Sequence, residues 1–596
     1  MKMPKLRELE RERQMLSAFG GYHRAQRISD GEFDQMENLS SDHYPVLSTR
    51  APRRLAPLEG TLTGMAGYDA LYYVLDGTLY QHDTVTGTTK SMMTGLPTII
   101  ESQIVRMGGY LLALGLSSRK ICEVSNPLLT QEDIDKEVSG QFQYAPCTMD
   151  GTTIAPVVQA VAPASPSDGS YWMDTSGDVH VLKQWSSSEG IWSAVPTSYV
   201  KLSRTGLGES FQQYDGVRVW DSQSDLGGLL VKAEGTGYES SFVVMGMTDD
   251  AIIVSGLCDQ AGTSSVTARM DRKSPNLRFA VECGNRIWGC SDDGSEVYAS
   301  KLGDPYNWNC YLGVSTDSYA ATIGAPGRFT GAIAYGGTVY FFKQECMIKI
   351  QGTEPSNFQI TEIPCEGVQE GSERSLCVAD GMLIYKGKDG VYCYDGSLPQ
   401  KLSDDLGTAY YTQAVGGAAS GKYYISMLDE AGETHLFVYD LRRGLWHRED
   451  GLRMSYCAEA GGELYGAAVP QGGEQVLCTL NYHPERHPGD LKHVLEKGIP
   501  FLAETGDMGL DSPDSKYVAQ IQLRCTLGTG ASLSMDVQYD SSGVWQRVAD
   551  LVVSSKRSFT LPVTLRRCDH FRLRISGKGE CRIFSLTKTI EQGGMF

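Results

Sequence analysis

Long apolar segments, paired cysteine motifs and a targeting signal are all missing from the sequence. No run of eighteen apolar residues occurs, so no transmembrane helix is predicted. The fifteen cysteines are odd in number and form no C-x-x-C pair, which favours buried free thiols over a disulfide scaffold. The N-terminal MKMPKLRELERERQM lacks the apolar core of a signal peptide. These absences predict a soluble protein that folds in a reducing cytoplasm.

Positive charge is scarce relative to negative charge. The chain has 53 lysines and arginines against 72 aspartates and glutamates, which gives a formal net charge of −19. A surface of that sign repels phosphate, so tight binding of nucleic acid is not expected without a local basic patch.

Motifs of common enzyme classes are also missing. No G-x-S-x-G nucleophile elbow is present. GLGESF and GTGASL each contain a glycine pair, but neither continues to a phosphate-binding lysine or to a third glycine that opens a helix. No pair of carboxylates stands out from the many present, so we predict no catalytic and no cofactor-binding residues.

A repeated hairpin of about forty residues is the main feature of the sequence. Its clearest copy is GGTVYFF, residues 336–342, a glycine turn followed by a strand of large apolar residues. Similar turns are centred on residues 69, 109, 285, 337, 381, 421 and 462. Their spacing is 40 to 52 residues apart from one interval of 176, which is the period of a four-stranded propeller blade. The sequence therefore predicts an all-β fold, a β-propeller of six or seven blades.

The long interval and the chain ends predict further domains. Alternating apolar residues between 127 and 275 indicate an inserted β-sandwich, and residues 517–596 indicate a second one at the C-terminus. The complete division is 1–58 N-terminal helix and extended arm, 59–126 first blades, 127–275 insertion, 276–482 remaining blades, 483–516 linker and 517–596 C-terminal sandwich. The charged residues 1–16 are predicted to form a short helix that needs a partner surface.

Four side chains in the predicted linker form the best metal-binding candidate. They are His483, Glu485, His487 and His493, a set that could bind zinc. Pro484 and Pro488 break any helix that would bring His483 and His487 to one face, and no cysteine lies nearby. We therefore favour exposed turn histidines and predict no metal site.

Two acidic turns and two tryptophan hairpins are further candidates for binding sites. Residues 291–296 (SDDGSE) and 174–178 (DTSGD) resemble calcium loops but lack the spacing of ligands with a closing glutamate, so we predict hairpin turns. The segments around Trp192 and Trp545 share a turn-Gly-x-Trp pattern, in which a surface tryptophan could stack on a sugar ring. A core tryptophan that anchors the hairpin is the interpretation we favour.

Three segments resemble structural proteins of the virions of tailed bacteriophages. They are FGGYHRAQRISDGEFDQMENLSSDHYPVLSTRAPRR, CGNRIWGCSDDGSEVYASKLGDPYNW and LRRCDHFRLRISGKGECRIFSLTKTIEQGG. Together with the propeller they look like the tail nozzle, or tail tubular, proteins of short-tailed phages. The resemblance implies a homo-oligomeric ring, a hexamer in that family, below the portal and adaptor and beside tail fibre or other tail proteins. It also implies location in the virion tail and passage of duplex DNA without sequence-specific binding. Propellers of that family tend toward six blades, whereas seven repeats are counted here.

Three hypotheses follow. The first is a non-enzymatic, ring-forming nozzle that conducts DNA during ejection. The second is a tail adhesin or propeller lectin that binds a host glycan through the insertion or the C-terminal domain. The third is a propeller glycosidase with its carboxylates on the channel axis, and of the three it is the one we do not favour.

Overall fold

The computed structural model describes residues 11–25, 27–222, 231–232, 238–469, 474–482, 494–511, 515–552, 555–563 and 566–592. Within these residues the chain is almost entirely β. The helices are one α-helical turn, Pro127–Thr130, and two 3-10 turns, Glu373–Ser375 and Asp404–Leu406. None of the described helices is long and apolar enough to cross a membrane.

Seven antiparallel sheets form the centre of the described fold. The first six have four strands each in chain order, and the seventh has three in chain order followed by two strands from elsewhere in the chain. The first two comprise Leu62–Gly67, Leu71–Leu75, Thr78–His82 and Thr89–Met93, then Gln103–Met107, Tyr110–Leu114, Arg119–Glu123 and Glu132–Asp133. The third and fourth comprise Leu277–Cys283, Arg286–Ser291, Glu296–Ala299 and Tyr319–Thr322, then Gly331–Tyr335, Thr338–Phe342, Cys346–Gln351 and Gln359–Pro364. The fifth and sixth comprise Cys377–Ala379, Met382–Lys386, Val391–Tyr394 and Gln400–Lys401, then Tyr411–Ala419, Lys422–Asp429, Thr434–Asp440 and Leu445–Glu449. The seventh comprises Arg453–Ala460, Glu463–Val469, Val476–Thr479, Arg54–Pro57 and Val494–Leu495.

The seven sheets close into a ring. The first strand of each sheet lies against the first strand of its neighbour or the turn that leads into it, and Arg453–Ala460 of the seventh sheet lies against Leu62–Gly67 of the first. A Cβ on Gly67 would stand 1.8 Å from the Glu459 carbonyl oxygen, so only glycine permits this approach. The fourth strand of the seventh sheet, Arg54–Pro57, comes from the N-terminal part of the chain. It pairs with Val476–Thr479, which joins the two ends of the ring. The predicted β-propeller is thereby confirmed.

The predicted turns join the first and second strands of the sheets. In the fourth sheet Gly336 and Gly337 have φ of +58° and +72°, the left-handed pair that a two-residue hairpin requires. The strand that follows them, Thr338–Phe342, is buried from its second residue onward. Glycine turns and alternating large residues thus specify each hairpin locally.

The insertion forms two layers that share the long strand Tyr238–Thr248, with a bulge between Val244 and Gly246. The layers consist of Lys136–Ser139, Gln143–Cys147, Tyr199–Ser203, Gly216–Asp221, Val231–Lys232, Tyr238–Thr248, Ala251–Ser255, Gly262–Thr263 and Arg269–Arg272. A separate small sheet contains Val157–Gln159, Tyr171–Asp174, Val181–Ser186 and Ile191–Ala194, and we call it the Trp sheet. The boundary predicted at residue 127 is too early, because Glu132–Asp133 still pairs within the second propeller sheet.

The C-terminal sandwich is completed by strands from the N-terminus. One sheet contains Arg11–Leu16, Leu39–Ser40, Leu47–Thr49, Lys516–Leu527, Arg557–Leu561, Arg567–Cys568 and Cys581–Gln592. The other contains Phe33–Glu37, Pro500–Thr505, Ser532–Tyr539, Gln546–Leu551 and Phe571–Lys578. The predicted arm is thus ordered by contacts with the rest of the chain. Residues 500–505 are predicted as part of the linker but form a strand of this sandwich.

The helix predicted for residues 1–16 is wrong where the structure describes it. Arg11–Leu16 is a strand that pairs along Cys581–Gln592. The free edge of that strand offers backbone hydrogen bonds that the local helix preference of a short charged segment does not outweigh. Residues 1–10 lie outside the described part of the chain.

Candidate functional site

The channel of the propeller is crossed by an ion pair. Arg374 precedes the first strand of the fifth sheet, and its Nη2 lies 2.8 Å from Glu101 Oε2, which precedes the first strand of the second sheet. The guanidinium also lies 4.2 Å from the Tyr456 ring and donates to the Ser455 carbonyl oxygen at 3.2 Å. Burial lowers the pKa of Arg374, but the Glu101 carboxylate outweighs it, so the pKa is higher than usual. Arg374 is therefore a fixed cation that ties three sheets together.

The space left in the channel is small. The cavity around Arg374 has a volume of about 330 Å³, which is the low end of the range for small-ligand sites. Its carboxylates are Glu101, which is paired with Arg374, and Glu459, which accepts a hydrogen bond from the Gly462 amide at 2.6 Å. A glycosidase needs one carboxyl group as an acid and a second as a nucleophile or base. These two carboxylates are already engaged, so they do not form such a pair.

A larger cleft of about 640 Å³ separates the second and third sheets from the insertion. Its carboxylates are Glu123, Glu132, Glu209 and Asp304. Tyr306 donates to Glu132 at 2.8 Å, and burial together with this carboxylate raises the tyrosine pKa. Arg272, which also lines the cleft, lies 2.7 Å from Asp215. The cleft is polar and its charged groups largely hold the insertion in place.

The buried pair Arg272–Asp215 extends to the propeller. Asp215 accepts from Asn307 of the third sheet at 3.0 Å, and the Asn307 side-chain oxygen accepts from the Gly216 amide at 2.9 Å. Arg272, Asp215 and Asn307 are each at most 5% exposed. Because buried charges are stable only when paired and hydrogen-bonded, this network fixes the orientation of the insertion.

The metal and calcium candidates of the sequence are hairpin turns or lie outside the described residues. His483, Glu485, His487 and His493 lie outside the described residues. Both acidic turns are hairpin turns: Asp293 accepts from Ser291 and Ser295, and these hydrogen bonds, with Ser291 first, lower its pKa to about 2. Asp174 accepts from Lys183 at 2.7 Å. Among the described residues no group of three or more potential ligands could hold a metal ion.

The two tryptophan hairpins differ in their contacts. Trp192 is half-buried in the Trp sheet, with its ring 5.5 Å from the rings of both Trp172 and Trp185. Trp545 in the C-terminal sandwich is half-buried beneath the Arg574 guanidinium at 4.0 Å. Both side chains thus have packing partners, as a hairpin anchor requires, while part of each ring remains exposed.

A strong charge asymmetry along the chain went unpredicted from the sequence. Residues 515–596 contain twelve lysines and arginines and six carboxylates, a net charge of +6, whereas residues 1–514 carry −25. Three of these basic side chains, Arg524, Lys556 and Arg557, are exposed around the first residues of the edge strand Arg557–Leu561, and we call this edge the basic face. Arg524 lies beside Ser558 on the outer side of the sheet, whereas Arg557 lies opposite buried Cys525 and projects from the other side of the edge. Counting charge by domain instead of over the whole chain would have revealed it.

The side chains that contact Arg524 and Lys556 of the basic face are uncharged. Arg524 Nε donates to Ser558 Oγ at 2.9 Å, and Lys556 Nζ lies 3.8 Å from the centre of the Phe584 ring. Phe584 is the extra residue of a β-bulge opposite Arg524 and Cys525, which explains why this ring interrupts the regular pairing. No carboxylate of the described residues pairs with Arg524, Lys556 or Arg557, so their charge is available to a partner.

No family model and no curated protein matches the chain. Among solved structures it resembles a mitotic checkpoint complex, at 8% identity over 80% of this chain and 98% of that chain, with a TM-score of 0.32. It also resembles apo AztD from Citrobacter koseri, at 12% identity over 67% and 95% of the chains and a TM-score of 0.29. A third is an exo-β-1,3-galactanase from Phanerochaete chrysosporium with galactose, at 9% identity over 52% and 94% and a TM-score of 0.20. These low similarities carry no inference about function.

Proposed function

We propose that this chain is a non-enzymatic structural subunit of a bacteriophage tail, a nozzle protein that assembles into a ring and conducts DNA. The ring lies below the portal and adaptor and meets other tail proteins. The proposal joins the resemblance of the three sequence segments to the rigid, closed propeller with its two appended sandwiches. In it, the protein folds in the bacterial cytoplasm and acts in the virion.

The closed channel is the observation that carries this proposal. Arg374 and Glu101 cross the axis and leave about 330 Å³. Duplex DNA, whose major groove alone is about 12 Å wide, cannot pass through such a space. A conducting lumen therefore has to form between several copies. Residues 1–514, with a charge of −25, supply a wall that repels phosphate and lets DNA slide.

Electron microscopy and mass photometry of the purified full chain test this proposal. We expect closed rings with a central opening, and no retention of duplex DNA at physiological salt. A chain that stays monomeric at every concentration, also in the presence of phage portal and adaptor proteins, would contradict it. Hydrolysis of glycans that is lost on changing Glu101 and Glu459 to glutamine would favour the glycosidase instead.

A tail adhesin is the second candidate, and the Trp sheet favours it. Three indole rings lie within 5.5 Å of their neighbours, and two of them, Trp185 and Trp192, are only half-buried. Partly exposed aromatic rings of this kind can stack on a sugar. Binding of the full chain to a glycan array, weakened by Trp192→Ala but not by Trp545→Ala, would support this candidate. No binding to any glycan would reject it.

A further inference from the structure

The basic face and the Trp sheet carry opposite charge. The Trp sheet, residues 157–194, contains four carboxylates and one lysine, and that lysine, Lys183, is already paired with Asp174. The other three, Asp168, Asp178 and Glu189, are exposed. Arg524, Lys556 and Arg557 of the basic face have no carboxylate partner among the described residues. Each surface thus presents three charges that the described part of the chain does not neutralise.

Apolar side chains accompany both charged surfaces. On the Trp sheet Val161 and Val179 are 74% and 78% exposed. On the C-terminal sandwich Val552, four residues before Lys556, is 76% exposed. Apolar groups beside complementary charges are the composition expected of a specific protein interface.

The two surfaces lie on opposite sides of the propeller. The insertion joins the outer strand of the second sheet to the inner strand of the third. The C-terminal sandwich packs on the outer strand of the sixth sheet, where the Tyr22 amide donates to the Trp446 carbonyl oxygen. Three and a half of the seven sheets separate these attachment points, which is half of the circumference. The basic face and the Trp sheet of one chain therefore do not meet.

The Trp sheet is also directed away from its own propeller. It leaves the insertion between strands Gln143–Cys147 and Tyr199–Ser203, at the end marked by the pair Cys147 and Tyr199. At the opposite end of these two strands, Ser203 leads through residues 204–216 to the contact with the third propeller sheet. The acidic surface is thus placed where a second molecule can reach it.

We infer that the basic face of one copy binds the Trp sheet of a neighbouring copy, head to tail. This inference rests on the proposed ring and names the contact that builds it. A head-to-tail contact pairs unlike surfaces at each junction, so it can repeat around a closed ring. A two-fold contact would instead place the basic face against a second basic face, or the Trp sheet against a second Trp sheet. Charges of the same sign would then repel each other across the contact.

Charge reversal in the full chain tests the inference. The variant Arg524→Glu, Lys556→Glu, Arg557→Glu changes only exposed side chains, and we expect the dissociation constant of self-association to rise at least tenfold at about 0.1 M salt. Adding Asp168→Lys, Asp178→Lys and Glu189→Lys to the same chain restores the opposite charges and should recover assembly. The matched control reverses three other exposed basic residues, Lys90, Lys388 and Arg453, and should associate like the unchanged chain.

Cross-linking supplies a second measurement that does not depend on the stability of a variant. A carbodiimide joins lysine amines to carboxylates in direct contact, so a mixture of isotopically labelled and unlabelled chains should yield Lys556 linked to Asp178 or Glu189 between copies. The inferred contact would be overturned if the triple variant associated as strongly as the control variant and the unchanged chain gave no such cross-links. The proposed ring would not be affected by that result. A wild-type chain that never associates would overturn the proposed function itself. Retention of duplex DNA by the monomer through the three basic residues would assign this face to nucleic acid and also overturn the inference.

Discussion

Loss of Arg53 should open the strand that closes the propeller. Arg53 is 1% exposed, and its guanidinium lies 2.5 Å from Glu449 and 2.6 Å from Asp450 of the sixth sheet. The next four residues are the strand Arg54–Pro57, the fourth strand of the seventh sheet, which joins the ends of the ring. The change Arg53→Met removes the charge and keeps most of the apolar volume.

The expected cost follows from the carboxylate that remains. Glu449 is 5% exposed, and without Arg53 its nearest cation is Arg50 at 3.5 Å. Removing one partner of a buried ion pair costs about 3–5 kcal/mol, because the other charge stays buried and under-compensated. Since about 1.4 kcal/mol corresponds to a factor of ten, opening of this strand should become roughly a hundred to a few thousand times more frequent.

Hydrogen exchange of the Arg54, Leu55 and Ala56 amides measures this opening locally, which avoids assuming that so large a chain unfolds in one step. Arg442→Met is the control, because Arg442 is 73% exposed and 3.8 Å from Asp380, so its loss should cost less than about 1 kcal/mol. The pair Arg53→Met with Glu449→Gln should recover part of the protection. Equal exchange in Arg53→Met and Arg442→Met would refute the reasoning.

Three further predictions concern local features. Gly337→Ala should lower the free energy of unfolding by about 1–2 kcal/mol, because φ is +72° at this position. Gly109 has equally open space around it but lies outside the left-handed region, so Gly109→Ala should lower the free energy of unfolding less. Chemical denaturation compares the two variants. Burial lowers the pKa of His447 to about 3. The free energy of unfolding should therefore fall by roughly 1.4 kcal/mol per pH unit below about 6.5. Denaturation curves measured between pH 7 and 4 should show a flatter slope for His447→Phe. Arg374→Met should lower the melting temperature modestly, since Arg374 and Glu101 are partly exposed, and Glu101→Gln in that background should add little.

Each of these predictions has a clear contrary result. Equal costs for Gly337→Ala and Gly109→Ala would show that the turn relaxes to another conformation. For His447 the sign is fixed: a folded pKa below the unfolded value means that the unfolded chain binds the extra proton, so stability is lost as pH falls. A variant at His447 with an unchanged acid slope would exclude it as the source. A melting temperature unaffected by Arg374→Met would show that the channel pair is not stabilising.

The propeller could be predicted because its information is local. Gly336 and Gly337 force a two-residue hairpin, and the residues that follow alternate in size and polarity as a strand requires. Seven repetitions of this unit at a nearly constant period leave few folds other than a ring of sheets. Closure follows because each sheet buries its faces only against its neighbours.

The functional surfaces were harder to predict, because they depend on distant parts of the chain. Nothing near Arg374 indicates that Glu101, 273 residues away, is its partner. The carboxylates of the large cleft come from the second sheet, the third sheet and the insertion, which only the ring brings together. The basic face was visible as composition, but its exposure required the sandwich.

The sequence by itself determined the repeating hairpins, the presence of an insertion between the second and third repeats, and the unequal distribution of charge, since each depends on residues close together in the chain. The tertiary structure decided how the termini are used. Arg11–Leu16, which alone favours a helix, becomes a strand on Cys581–Gln592. Arg54–Pro57 closes the ring by pairing with Val476–Thr479, which lies more than 400 residues later in the chain. A free strand edge satisfies the backbone hydrogen bonds of whichever segment reaches it, and only the folded chain establishes which segment that is.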